Sequence, residues 1–270
     1  MNYSVLMSVY DREKPEYLDC AIKSILSQTL LTDDFVIVED GKLNQQLENV
    51  IRKYEANYPD IMHIIRRDKN MGLGYSLQEG VIACKNEIIA RMDSDDYSCP
   101  DRCSKQMQLI ESGYDLVGSN IDEFEDDIEK IVSTKHMPKT ATDIMKYAKF
   151  RNPFNHPSVM FKKSAALKAG NYRTFYKLED YDLWIRMLNK NIKSTNIQES
   201  LVRMRVNPAF FKRRGGKDNL KSHLKLKKSL LQNKQINIFE YLWGCFMMIV
   251  RAFCPSGLKS LLYKTVFRSS

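Results

Sequence analysis

A chain of 270 residues that is 43% hydrophobic and 10% aromatic has ample material for a core, which excludes a disordered or fibrous polymer. The net charge of +9 is unevenly held: residues 201–270 carry 15 Lys/Arg against Asp218 and Glu240, so the first 200 residues are net acidic. The basic character belongs to the tail and implies a polyanionic surface acting there, lipid or nucleic acid.

In chain order, residues 3–10 are apolar and β-branched enough for a buried first strand. Residues 11–15 form a polar turn whose Pro15 suits the first turn of a helix. Leu18, Ile22, Ile25 and Leu26 then recur at helical spacing, and residues 35–38 predict a second strand running into Glu39-Asp40-Gly41. Leu47, Val50, Ile51 and Tyr54 mark a second helix, followed by a third strand at 61–65. Asn70-Met71-Gly72-Leu73-Gly74 breaks the chain before a helix over 75–84. Residues 87–90 predict a fourth strand, Asp93-Ser94-Asp95-Asp96 follows it, and 98–101 read as a turn opening another helix. Such alternation implies an α/β fold with a parallel, helix-covered sheet. The six cysteines show no Cys-x-x-Cys spacing. With no signal-like N-terminus, they read as free thiols of a reducing cytoplasm.

Parallel strands put their C-terminal ends on one edge, where open α/β sheets bind ligands. Tyr10-Asp11, Glu39-Asp40-Gly41 and Asp93-Ser94-Asp95 all follow strands and should share one crevice there. Carboxylates so close repel unless a cation compensates, and hard oxygen ligands suit Mg²⁺ or Mn²⁺ bridging to phosphate. The Asn70-x-Gly72-x-Gly74 segment suits either a phosphate at a helix N-terminus or an ordinary turn. It is not a dinucleotide fingerprint, because Leu77 fills the last glycine slot. Further on, acidic residues 122–129 predict a solvated loop or edge hairpin, and 155–161 a strand with His156 at its entrance. Tyr181, Trp184, Ile185 and Leu188 share one helix face. Glu179 and Asp180 open that helix, where a carboxylate also serves as a cap.

Five segments occur in order: residues 5–10, Ser24-Ile25-Leu26-Ser27-Gln28-Thr29, Val38-Glu39-Asp40-Gly41, Asn70-Met71-Gly72 and Met92-Asp93-Ser94-Asp95-Asp96. Over roughly residues 1–205 the chain resembles the family 2 glycosyltransferases, inverting enzymes of GT-A fold that use nucleotide-diphosphate sugars. The resemblance implies a catalytic base at Asp180, with Glu179 and His156 on the acceptor side. It implies nucleotide-sugar contacts from Tyr10, Asp40, Asn70, Gly72, Arg91, Asp93 and Ser94, with Asp40 accepting from the nucleobase, most often uracil. It implies Mn²⁺ or Mg²⁺ on Asp93 and Asp95. Arg91 suits a salt bridge or a phosphate contact equally, and Asp96 suits a metal ligand, a ribose contact or a cap. Arg205, Arg213 and Arg214 resemble arginines that close over the diphosphate, with a solvated basic loop as the alternative. Ser8 stands where Pro is usual and Glu39 where Asp is commoner. The Gln-x-x-Arg-Trp motif of processive synthases is absent. Addition of single sugars, as in bacterial capsule and exopolysaccharide assembly, is what remains.

The expected organisation is a catalytic domain over 1–211, with a nucleotide-sugar half to about 118 and an acceptor half from 119, then a basic helical extension over 212–270. Residues 236–254 are the most apolar stretch, yet Glu240 and Arg251 leave ten uncharged residues between them. A span needs about 20. The extension is therefore expected to dock on an anionic membrane, where a lipid-diphosphate-linked glycan acceptor would be presented, on the cytoplasmic face of the cell membrane. Packing as ordinary core is the alternative. An Asp-x-Asp phosphatase or phosphotransferase would carry its motif after the first strand and would not have Tyr97 two residues on. A calcium loop fails at Tyr97, Ser98 and Ser104. A nucleic-acid binder, suggested by the tail alone, leaves the acidic crevice unexplained, so no nucleic acid is expected as a partner.

Overall fold

The computed structural model describes residues 1–175, 177–206 and 217–253. The first half is β1 (Tyr3–Val9), α1 (Pro15–Leu26), β2 (Asp34–Glu39), α2 (Gln45–Asn57), β3 (Met62–Arg66), α3 (Leu73–Ala83) and β4 (Ile88–Asp93). The middle holds β5 (Tyr97–Ser98), α4 (Arg102–Glu111), β6 (Leu116–Phe124), β7 (Ile131–Lys135) and α5 (Ala141–Ala148). A 3-10 turn (His156–Ser158), β8 (Met160–Lys162), α6 (Lys163–Lys168), α7 (Glu179–Leu188) and β9 (Ser194–Arg205) follow. Two last helices are α8 (Lys217–Gln232) and α9 (Ile238–Phe253).

The strands form one sheet ordered β3-β2-β1-β4-β8-β6-β9-β5, with β7 on β6. Its first four strands are parallel, as the alternation predicts. Beyond β4 the direction changes: β8 runs antiparallel to both β4 and β6, while β6 and β9 are parallel. Alternate residues of β1 go to opposite faces. Val5, Met7 and Val9 meet Leu18, Ile22, Leu47 and Met107, whereas Leu6 meets Leu77 and Val81 of α3 in a cluster that includes Trp184 of α7. Being covered on both faces is why β1 and β2 read as unbroken apolar runs.

Two local expectations change and a third is met. Ser98 is not turn but joins Tyr97 in a two-residue strand antiparallel to Val202 and Arg203. Residues 155–161 are not one strand: His156–Ser158 is a 3-10 turn and pairing starts at Met160, because Pro157 has no N–H to give a ladder. Residues 122–129 do form the edge hairpin between β6 and β7. Of the tail, Leu226, Leu230 and Ile236 are buried in the cluster that holds Trp184, so the hairpin of α8 and α9 packs on the side of the sheet that carries α7. Among the described residues no helix is long and apolar enough to cross a membrane.

Candidate active site

The sheet edge brings the predicted residues together. Val9 is level with Glu39 and Ser8 with Asp93, so β1, β2 and β4 end side by side. The Asp40 N–H donates to Val9 O (2.8 Å), and Tyr10 stands half-exposed at the rim. Asp40 is buried, with both carboxylate oxygens engaged: Oδ1 accepts from Met71 N (2.8 Å) and Oδ2 from Gly72 N (2.9 Å). The Asp40 side chain therefore shapes the Asn70–Gly72 loop. Arg67, which no motif singled out, donates to Asp40 Oδ1 (3.3 Å) and Ser76 Oγ (3.0 Å) while lying over the Tyr75 ring. Gly41 and Gly72 both have φ near +90°, and a Cβ on Gly41 would sit 2.7 Å from Asn70 N. Only glycine meets both demands there.

At the end of β4 the buried Arg91 guanidinium pairs with Asp93 through Nη2, while its Nε and Nη1 have no hydrogen-bond partner among the described residues. Ser94 Oγ donates to Glu13 Oε2 (2.9 Å), which adds a carboxylate to the cluster. Burial, Asp93 and Glu13 push the Asp95 carboxyl up to about 7. Asp96 is buried and raised as well, first by burial and then by Asp95 and Asp93; its Oδ1 accepts from Arg205 N (2.8 Å) and its Oδ2 has no partner. One guanidinium against this many carboxylates leaves an excess of negative charge that a divalent cation would relieve. Among the described residues no three His, Cys, Asp or Glu side chains form a metal cage. The oxygen chemistry of the cluster fits a hard divalent cation, which Asp93 and Asp95 would hold.

The segment carrying these carboxylates is held from behind. Gln28 Nε2 donates to Ser98 Oγ (3.1 Å) and Cys99 O (2.8 Å), its Oε1 accepts from Cys103 N (3.0 Å), and Ser24 Oγ accepts from Ser98 N (3.1 Å). The Ser24 and Gln28 motif therefore braces the Asp cluster without touching the crevice.

Across the crevice, Asp180 lies in the first turn of α7 with Leu178, not itself, at the N-cap position. Asn152 donates to Asp180 Oδ2. Burial raises the Asp180 carboxyl, against the pull of the Tyr181 N–H, Asn152 and Arg91. Burial carries Glu179 up to about 7. His156 Nε2 is 3.0 Å from Tyr172 Oη, and its ring meets Trp184 edge-on. Burial, then Arg91, pushes the His156 imidazole well below its usual range, which keeps it neutral. Arg91 thus lies electrostatically between Asp93, His156 and Asp180. Gly74 has a packing role: a Cβ there would meet Arg173 O at 2.6 Å and Glu179 Cγ at 2.9 Å, so it seats α3 against the segment leading to Asp180.

Arg205 makes contacts within the protein. Its Nε donates to Asp95 O (3.2 Å), its Nη1 to Glu125 O (2.9 Å), and its guanidinium lies 3.7 Å from the Tyr17 ring centre. Arg213 and Arg214 lie outside the described residues. Glu13, Arg67, Asn152 and Tyr172 were missed by the sequence because each acts through a partner remote in the chain. A groove of about 430 Å³ between α5, α7 and α8, lined by Ala148, Ile185 and Leu230, carries no carboxylate or imidazole. The chemistry lies with the strand-end cluster.

Known proteins resemble this chain in sequence and in fold. The model of Glycosyl transferase family 2 matches residues 4–171. An amylovoran biosynthesis glycosyltransferase of Erwinia amylovora is 33% identical over 97% of this chain and 98% of its own. A UDP-Gal:alpha-D-GlcNAc-diphosphoundecaprenol beta-1,3-galactosyltransferase of Escherichia coli is 32% identical over 98% of this chain and 96% of its own. In fold, S. aureus TarS in complex with UDP-GlcNAc aligns with TM-score 0.68 at 14% identity, covering 98% of this chain and 76% of that one. A Pyrobaculum calidifontis mannosyltransferase in complex with GDP-Man and Mn²⁺ aligns with TM-score 0.65 at 12% identity, covering 98% and 79%. With the GT-A fold, a family model over more than half its length and full-length relatives of one activity, the chain belongs to the family 2 glycosyltransferases.

Proposed function

We propose that the enzyme moves one sugar, with inversion, from a UDP-sugar to a hydroxyl of a lipid-diphosphate-linked glycan in bacterial surface-polysaccharide assembly. The observation that carries this reading is the Asp180 carboxylate, held by Asn152, raised by burial, and set across Arg91 from Asp93. The acceptor oxygen forms a bond to the anomeric carbon as the bond to the diphosphate oxygen breaks. The acceptor proton goes to Asp180, and the nucleoside diphosphate leaves with the electron pair. Asp40 and the loop it shapes receive the nucleoside, while neutral His156 and Glu179 line the acceptor side. When bound to Asp93 and Asp95, Mn²⁺ or Mg²⁺ would neutralise charge on the departing diphosphate. A lipid-linked acceptor of the kind named for the Escherichia coli relative would be met at the inner face of the cell membrane, with the enzyme peripheral to it.

The test is nucleotide release from a panel of UDP-, GDP- and dTDP-sugars, with Mn²⁺ and with EDTA. Release from a UDP-sugar that EDTA abolishes is expected. Asp180→Asn should cut transfer by at least about 100-fold, the scale of general-base loss, with donor affinity retained. Near-normal turnover in that variant would move the base elsewhere, and full activity in EDTA would remove the metal.

A further inference from the structure

The α8–α9 hairpin is inserted into the acceptor half by one side only. On α8, Leu226 and Leu230 are buried; on α9, Tyr241 packs on the same core and Gly244 lies against Lys227. A Cβ on Gly244 would be 3.0 Å from Lys227 Cε, so the two helices meet closely there. Among the described residues, large apolar side chains on the opposite side of α9 are exposed. Phe239 (79% exposed), Leu242 (57%), Trp243 (58%) and Phe246 (55%) stand at i, i+3, i+4 and i+7, one continuous apolar stripe. Large apolar side chains arrayed in this way on a soluble surface mark an interaction face.

We propose that this stripe docks on an anionic lipid surface with α9 lying in the interface plane, an inference that deepens, and rests on, the peripheral location proposed above. Charge selects the occupant. Lys221, Lys228 and Lys234 are exposed on α8 and at its end, and residues 201–270 hold 15 Lys/Arg against two acids. A second copy of the chain would bring two such lysine-rich hairpins together, whereas an anionic leaflet attracts them. A helix with Trp, Phe and Leu on one face and lysines beside it is the composition of an interfacial helix, and no described helix is long and apolar enough to span. Tyr241 takes no part in docking, because it faces the protein core.

The protein supplies its own reporter. It has two tryptophans: Trp184 is fully buried, so only Trp243 can change environment on docking. The full-length enzyme is mixed with vesicles of phosphatidylcholine alone or with phosphatidylglycerol, and sedimentation and tryptophan emission are read. Binding should require phosphatidylglycerol, weaken with salt, and move the emission to shorter wavelength. Trp243→Phe should abolish the shift and keep the binding. Phe239→Ser with Leu242→Ser and Phe246→Ser should lower vesicle affinity at least about tenfold, as expected for withdrawing this much apolar surface. These positions are exposed, so melting temperature and transfer to a soluble acceptor should stay at wild-type values; that transfer assay separates failure of docking from failure of the catalytic reading. Equal binding to neutral vesicles, undiminished binding of the triple variant, or a wild-type dimer that the triple variant loses would each overturn the proposal.

Discussion

At the scale of single residues the site is a balance of buried charge around Arg91. His156 sits on the cationic side of it and pays in basicity: burial and Arg91 hold its ring neutral. A histidine whose folded pKa is depressed stabilises the fold above its unfolded value, near 6.5, and that contribution is lost as pH falls below it. The wild type should therefore lose stability relative to His156→Gln as pH drops from about 7 to 5, by no more than about 1.4 kcal/mol per pH unit. Denaturant titrations of both proteins across that range check the sign. The raised carboxyls of Asp95, Asp96, Glu179 and Asp180 work the other way but are common to both proteins and cancel in the difference. A parallel pair of curves would show that the fold, by burial and Arg91 together, does not depress the His156 imidazole.

At the scale of elements, what could be read from sequence was what is local. The apolar runs of β1, β2 and β4 and the spacing of Leu18, Ile22 and Ile25 state their own period, and the carboxylates after β4 state their own chemistry. The short strand β5 could not be read, because its pairing partner lies beyond residue 200 and two residues have no period. Asn152 was illegible for the same reason: only folding brings it to Asp180. Gly74 was legible as a glycine of a phosphate-binding segment or an ordinary turn, but its packing against Arg173 O and Glu179 was not, because that segment lies about 100 residues on. Gly74→Val should therefore push the Arg173–Glu179 segment away from α3 and misplace Asp180. Transfer is expected to fall about 100-fold, the cost of a shift on the order of 1 Å in a reacting group. Calorimetric UDP affinity should change far less; loss of UDP binding alone would return Gly74 to the donor.

At the scale of the molecule, the two ends of the reaction belong to different parts of the sheet. The proposed nucleotide side stands on the parallel strands β1, β2 and β4, whereas Asp180 opens α7, the second helix after the antiparallel β8. The C-terminal hairpin is fastened to the second part. Lys227 Nζ donates to the Lys149 carbonyl, Lys149 pairs with Glu240 (2.7 Å), and Lys225 lies over the Phe175 ring (5.1 Å). None of these ties reaches the strands that end at Asp40 or Asp93. The hairpin is thus tied to the part of the chain that carries Asp180: grafting residues 217–253 from a relative that uses the same donor and a different acceptor should change the acceptor KM and leave the donor KM within about twofold, the spread expected when no donor-side contact is altered. Steady-state kinetics on such chimeras would show it. With that outcome the hairpin would be a cassette, through which a lineage of these enzymes could exchange glycan partners without retuning its use of the sugar nucleotide.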